Sequence, residues 1–341
     1  MKPTDIQEDN MAIAQSIFSH FGAFLMCIFL TLVPYKGIAL PVTDTLAEDC
    51  QLNLELISDT HLEEKELIRV MLLEAAFNTF NNSKADIDAV VINGDLTNYA
   101  DEPTLAKFFG ILKDDTDIPV IPVAGNHDIG HAGDRDVTDI SREEAYANYL
   151  RYRNEYMGRN DEANYFSIEL NGYKIIVLGD EVLDGGKWDG ITMSQEQLDF
   201  LDEKLADGTK DGKPVFIFCH WPLEGTVSED IVWPESGIEK DRYDLAPVLE
   251  KYKNVFWISG HMHSGTKAEA VDRLYGIKSC EQINGVTYIT LPSFGLVNSF
   301  GLPFGGRGAQ LEVYGDRVVF RPRNMVTGNW YKNAEYTFEI V

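Results

Sequence analysis

Imidazoles and carboxylates recur in this chain at one kind of position, just past the end of an apolar run. Leu52–Ile57 is followed by Asp59 and His61, and Ile87–Ile92 by Asp95. Ile118–Val123 is followed by Asn126, His127 and Asp128, Pro214–Cys219 by His220, and Val255–Ser259 by His261 and His263. Five of the chain's seven histidines lie in these turns, His20 and His131 being the exceptions. Core packing accounts for any one such histidine, but not for five that all follow apolar runs. In Asp59-x-His61, strand alternation would put both side chains on one face and so hand two ligands to one metal ion. A set mixing imidazole, carboxylate and an amide oxygen suits Zn, Mn or Fe better than Ca, which prefers oxygen ligands throughout. Asp95 stands alone between histidine-rich groups, where its two oxygens could bridge two ions. Gly94, Gly125 and Gly260 precede three of the clusters and allow a sharp turn or a close backbone approach.

The elements that must position these residues alternate. The sequence predicts strands at 52–57, 87–92 and 118–123 separated by helices over 62–80 and 103–112, a strand–helix order that implies parallel strands with helical crossovers. Further helices are expected over 141–152 and 194–205, with Ser141 and Ser194 as caps and Gln197 completing a capping box, and over 243–252. Asn171-Gly172 between two apolar runs marks a hairpin. Strands at 214–219 and 255–259 follow, then a meander through 287–291, 310–313 and 318–321, and a last segment at 336–341. The carboxyl ends of strands are where open α/β sheets form their sites. Residues 50–341 read as one α/β domain.

The formal net charge is −26, which disfavours nucleic acid and anionic membrane surfaces as partners and asks how an anionic substrate would be held. Residues 1–45 read as a polar segment followed by a signal- or anchor-like run, Phe21–Val33, too short to span a bilayer as a helix. Export, or membrane association through residues 21–33, is the expectation, and a cytoplasmic chain the alternative. Four cysteines form no zinc-like spacing; Cys50 and Cys280 could pair in an oxidising compartment. Oligomeric state is not legible.

The series Asp59-x-His61, Gly94-Asp95, Gly125-Asn126-His127-Asp128, His220 and Gly260-His261-x-His263 resembles the calcineurin-like metallophosphoesterase superfamily, with all five motifs in the family's order. The resemblance implies a four-layer αββα sandwich of two mixed sheets with a dinuclear site at the strand ends. It implies that Asp59, His61, Asp95 and His263 hold one metal ion, and Asp95, Asn126, His220 and His261 the other. His127 is then the catalytic histidine, with Asp128 supporting it. Two ions ~3.5–4 Å apart can share a hydroxide and polarise a phosphoryl oxygen. Two divalent ions against Asp59, Asp95 and one hydroxide leave a local positive centre, which answers the charge question.

Asn98 stands where purple acid phosphatases have a tyrosine ligand, so Tyr99 reads as packing, and the Asp-Arg-Gly of protein serine/threonine phosphatases is missing. Gly94-Asp95-Leu96-Thr97 with Gly260-His261-Met262-His263 is closest to the cyclic-nucleotide phosphodiesterase-like branch. The expectation is a metal-dependent phosphoester hydrolase acting on a small phosphate ester, a phosphodiesterase first. A phosphomonoesterase of nucleotides or small esters is the alternative, and a non-catalytic metal-binding scaffold comes third. Trp188, Trp221, Trp233 and His131 fall in loops near the strand ends, where a ring could meet substrate or simply pack.

Overall fold

The computed structural model describes residues 46–130, 140–182, 191–239, 243–265, 276–295, 305–331 and 334–341. The apolar segment at 21–33, His131 and Trp188 lie outside them. Among the described residues no helix is long and apolar enough to cross a membrane.

Twelve strands form two six-stranded mixed sheets. The first has the order β12 (Tyr336–Glu339), β11 (Arg317–Asn324), β10 (Arg307–Val313), β1 (Leu52–Ile57), β2 (Ala89–Asn93), β3 (Val120–Val123). The second runs β4 (Phe166–Leu170), β5 (Tyr173–Val177), β6 (Val215–Phe218), β7 (Val255–Ser259), β9 (Val286–Thr290), β8 (Cys280–Ile283). Strands β1, β2 and β3 are parallel in one sheet, and β5, β6, β7 and β9 in the other. Helices α1 (Leu67–Asn81), α2 (Glu102–Asp114), α3 (Arg142–Met157), α4 (Gln195–Thr209), α5 (Glu229–Val232) and α6 (Leu245–Leu249) occupy the connections.

Strand alternation sorts the apolar side chains between two cores. Leu54 and Leu56 of β1, Val91 of β2, Val177 of β5 and Phe218 of β6 meet in the core between the sheets. Val90 and Ile92 of β2 and Ile176 and Ile217 of the second sheet face outward instead, where they join Leu73 and Phe77 of α1 and Leu201 and Leu205 of α4. Two sheets buried on both faces, with helices outside, give the expected four layers.

Several local expectations change. Helix α1 begins at Leu67, not Leu62, because residues 61–66 are drawn into the site described below. The helix expected over 243–252 is a single turn, Leu245–Leu249, with Pro247 inside it. Ser141 and Ser194 cap as read, accepting from Glu144 and Gln197 backbone amides. The Gln197 side chain does not close a capping box: it donates to Gly179 and Glu181, and Glu181 takes the Ser194 N–H. Strand β8 was not expected, although Asn284-Gly285, both left-handed at φ 49° and 88°, marks its hairpin with β9 as Asn171-Gly172 marks β4–β5. Cys50 precedes β1 and Cys280 opens β8 at the edge of the other sheet, and the two do not pair with one another.

The outward face of β1 carries one polar cluster. Glu55 and Arg323 are each 1% exposed and lie 2.9 Å apart, and Arg323 also donates to Gln310 at 3.0 Å. Burial pushes the Glu55 carboxyl up from 4.5 to about 7, more than the Arg323 guanidinium lowers it. Between those values the folded chain keeps a proton that the unfolded chain has lost, so the Glu55 contribution to stability is present below them and lost as pH rises through the window. Urea unfolding at about pH 5 and about pH 8 should therefore show Glu55→Gln removing at least ~1 kcal/mol of the wild-type pH dependence; an unchanged dependence would place Glu55 as an ordinary ion-paired carboxylate.

Candidate metal centre

The carboxyl ends of β1, β2 and β3 in one sheet and of β6 and β7 in the other open onto the same end of the sandwich. Asn93, the last residue of β2, joins them. Its side-chain amide donates to Ile258 O of β7 at 3.0 Å, and its carbonyl accepts from Ser58 Oγ and His220 Nδ1, each at 2.8 Å. Asn93 was not singled out from the sequence, where it read only as part of a strand-ending turn. Its carbonyl fixes the His220 tautomer: Nδ1 donates, and Nε2 faces the cluster. Asn93→Ala should cost about 1 kcal/mol by removing the side-chain hydrogen bond to Ile258 O that ties β2 to β7, although Ile258 O keeps the Cys219 N–H. Chemical unfolding measures this, and a change near zero would mean that the sheets meet without help from Asn93.

The ligand atoms of Asp59, His61, Asp95 and His263 all lie within 4.8 Å of one another, as do those of Asp95, His220 and His261. The resemblance implied these two groups with Asn126 added to the second, and Asp95 is common to both. His61 Nε2 and His263 Nε2 are 2.9 Å apart, and His263 Nε2 is 3.1 Å from Asp59 Oδ1. Asp95 Oδ2 lies 3.6 Å from His61 Nε2 and 3.2 Å from His220 Nε2. Asp95 Oδ1 accepts the His127 backbone N–H at 2.9 Å, and Oδ2 is the oxygen nearest both groups. Asn126 is buried and opens the 3-10 turn His127–Ile129 beside Asp95.

The alternation reading of Asp59-x-His61 fails, for a backbone reason. Strand β1 stops at Ile57, and Asp59 and His61 sit in the left-handed region at φ 57° and 46°. Asp95 (49°), His261 (67°) and His263 (52°) do the same. Such conformations cost non-glycine residues of order 1–3 kcal/mol each and persist where the surroundings impose them. Here the imposing contacts are backbone hydrogen bonds between the turns: Asp59 N to Gly94 O, His61 N to Asp95 O, and Gly260 N to His220 O. All three glycines are needed for close approach, and a Cβ on Gly260 would meet Ser58 Oγ. A Cβ on Gly94, itself at φ 92°, would run into the His220 ring, and one on Gly125 into Asp95.

Electrostatics follow from burial and crowding. Burial holds His61 and His261 well below the usual imidazole range. Burial also presses on His220, but the Asp95 and Asp59 carboxylates outweigh it and lift that imidazole to about 9. Burial would raise Asp95, yet His220, His127 and His61 hold it well below the carboxylate range. Fully buried Asp59 has no hydrogen bond to either oxygen, and His220 Nε2 and His261 Nε2 have none either. Hard and borderline donors crowded within 4.8 Å of one another, several of them buried without a hydrogen-bond partner, suit cations, so the residues present fit two metal ions.

His127 is half-buried at the rim of this cluster. Its Nδ1 donates to Asn98 O at 3.0 Å, and its ring meets His61 edge-on with centroids 4.6 Å apart. Asp128 is fully buried, and four donors from Gly125, Leu96 and Thr97 occupy its carboxylate, so it ties the turn after β2 to the turn after β3 rather than reaching the site. Burial, with Asp95 nearby, pushes Asp128 up to about 7 against those donors. The Asn98 side chain turns to Glu63 at 2.7 Å. Trp221 is fully buried, and Trp233 stacks on His261.

A model of the calcineurin-like phosphoesterase family matches residues 55–265, more than half of the chain and all of the ligand set. The chain belongs to this family. Strands β8 to β12 of this calcineurin-like phosphoesterase lie beyond the matched stretch, yet β9 and β10 complete the middle of the two sheets. A probable cyclic nucleotide phosphodiesterase of Fibrobacter succinogenes is 26% identical over 232 residues, 65% of this chain and 77% of that protein. One of Psychrobacter arcticus is 25% identical over 238 residues, with the same coverage. A dimetal phosphatase from Danio rerio shares the fold with a TM-score of 0.61 at 16% identity, covering 86% of this chain and all of that one. A purple acid phosphatase from yellow lupin seeds reaches 0.52 at 14% identity, over 84% of this chain and 53% of that one. This family member is a hydrolase of phosphate esters.

Proposed function

We propose that the chain hydrolyses small phosphodiesters of the cyclic-nucleotide kind at a two-metal centre. The observation that carries the reading is the buried donor cluster, with Asp59 and the Nε2 atoms of His220 and His261 held without hydrogen bonds around Asp95. Asp59, His61, Asp95 and His263 would hold one ion, and Asp95, Asn126, His220 and His261 the other. Mn, Fe and Zn fit the nitrogen-rich set. When bound, such ions polarise phosphoryl oxygens and acidify a water for attack. The chain's own contribution is positional. Asp95 Oδ2 fixes the spacing of the two groups, and the ligand shell excludes bulk water. His127, its Nδ1–H committed to Asn98 O, acts as the imidazolium and passes the proton on Nε2 to the departing ester oxygen as the P–O bond breaks, which leaves the ring neutral.

The phosphodiester preference is supported by the names of the two bacterial relatives, and the segment at 21–33 would place the activity at or beyond a membrane. The test is turnover of bis(p-nitrophenyl) phosphate, p-nitrophenyl phosphate and 3′,5′-cyclic nucleotides with added Mn. Faster diester than monoester hydrolysis is expected. A monoester preference would overturn the diester reading, and no turnover of any ester across several metals would overturn the enzyme.

A further inference from the structure

His261 is the imidazole of the centre with three aromatic rings against it. His220 and His127 each anchor Nδ1 on a backbone carbonyl, Asn93 O and Asn98 O. His261 Nε2 is buried and makes no hydrogen bond. Metal-ligating histidines usually donate their second ring nitrogen to an oxygen, which fixes ring orientation. At His261 aromatic rings fix the orientation. Trp233 lies parallel to the imidazole, with 6° between planes and 5.2 Å between centroids. His220 meets it near-perpendicular at 5.1 Å, and Trp221 lies tilted at 6.1 Å. Centroids at these separations are in the range of offset-stacked and edge-to-face pairs.

The loop that delivers Trp233 is tied at several points. Glu229 is 1% exposed, and its carboxylate accepts from Gly225 N and Ser236 N at 3.1 Å and from Gly237 N at 3.4 Å. Glu281 of β8 accepts from Val227 N at 2.5 Å, and Ser228 Oγ accepts from Lys278 N at 2.9 Å. Val227 and Ser228 are both left-handed, at φ 46° and 65°, an uncommon conformation for a β-branched valine. A short loop bent this way and pinned by the Glu229 and Glu281 carboxylates holds its tryptophan in one place.

We infer that Trp233 is a positioning residue: it orients His261 toward the second ion by stacking on its ring, and Glu229 locks the loop that carries it. The inference rests on the two-metal reading, so the test reads metal directly. Mn binding to the full chain is followed by calorimetry for the wild type, Trp233→Leu, Trp233→Phe and Glu229→Gln, with thermal unfolding of each as a control. Trp233→Leu, which keeps apolar bulk but no flat face, should weaken one of two Mn sites by roughly tenfold and leave the other unchanged. Trp233→Phe should restore most of the affinity, and Glu229→Gln should weaken the same site. Folded Trp233→Leu that binds both Mn ions as the wild type does would overturn the inference and leave the two-metal reading standing. If Trp233→Leu does not fold, Glu229→Gln decides, and a folded variant with unchanged affinities overturns it. A wild type that takes up a single Mn would overturn both readings.

Discussion

Asp95→Asn should abolish the second ion and lower turnover by more than any other single change of a metal ligand, while leaving the sandwich folded. Asp95 is the one side chain common to both ligand groups, and its Oδ2 lies nearest to both. Oδ2 stands between His61 and His220 at 3.6 and 3.2 Å, while Oδ1 is fixed by the His127 N–H. The amide keeps the shape and can still accept that N–H, so the turn after β3 has no reason to move. It removes the charge that two cations share and can place an –NH₂ where both need a lone pair. Groups that only orient ligands are worth about 10–100-fold in metal affinity, so loss of a shared ligand should exceed ~100-fold. Asp59→Asn removes a carboxylate that lies closest to the His61–His263 pair, so it should chiefly weaken one ion. Metal analysis of the purified variants separates the two. Two tightly held ions in Asp95→Asn would show that Asp95 is not shared.

The sequence carried the positions of the ligands better than it carried the backbone that presents them. Strand ends are legible because β1, β2, β3, β6 and β7 are buried on both faces and read as apolar runs, broken in β1 only by Asn53 and Glu55. The ligand after each run stands out because imidazoles are few in this chain. How Asp59 and His61 converge was not legible. Propensity gives no sign of a left-handed aspartate and histidine, because the conformation is imposed by Gly94 O and Asp95 O from a strand thirty-odd residues away. The same applies to Asn93, whose partners at Cys219, His220 and Ile258 belong to the other sheet. Local signals did survive wherever they were complete in themselves, as with the Ser141 and Ser194 caps and the Asn171-Gly172 turn. Strand β8 carried such a signal at Asn284-Gly285, but its pattern of half-buried, partly polar residues hid the strand. The Trp233 stack could not have been read, because nothing in the spacing of Trp233 and His261 predicts a parallel pair.

His127→Ala should keep both ions and lose most activity, and the size of the loss should depend on the leaving group. The ions stay because the one contact His127 makes with a ligand through its backbone, N–H to Asp95 Oδ1, survives truncation of the side chain. The activity goes because Nδ1 is committed to Asn98 O, which leaves Nε2 as the only ring nitrogen that can meet an ester. General acid catalysis by a positioned side chain contributes about 10²–10⁴-fold. That contribution is greatest where the departing oxygen is a poor leaving group. A p-nitrophenolate leaves with little help, whereas the alkoxide of a ribose needs a proton as the P–O bond breaks. His127→Ala should therefore fall further on 3′,5′-cyclic nucleotides than on bis(p-nitrophenyl) phosphate, in kcat more than in KM. An equal loss on both would move the role of His127 from protonating the leaving oxygen to neutralising charge on the phosphoryl oxygens, which every substrate develops alike. Loss of an ion from the variant would instead make His127 part of the shell that holds it.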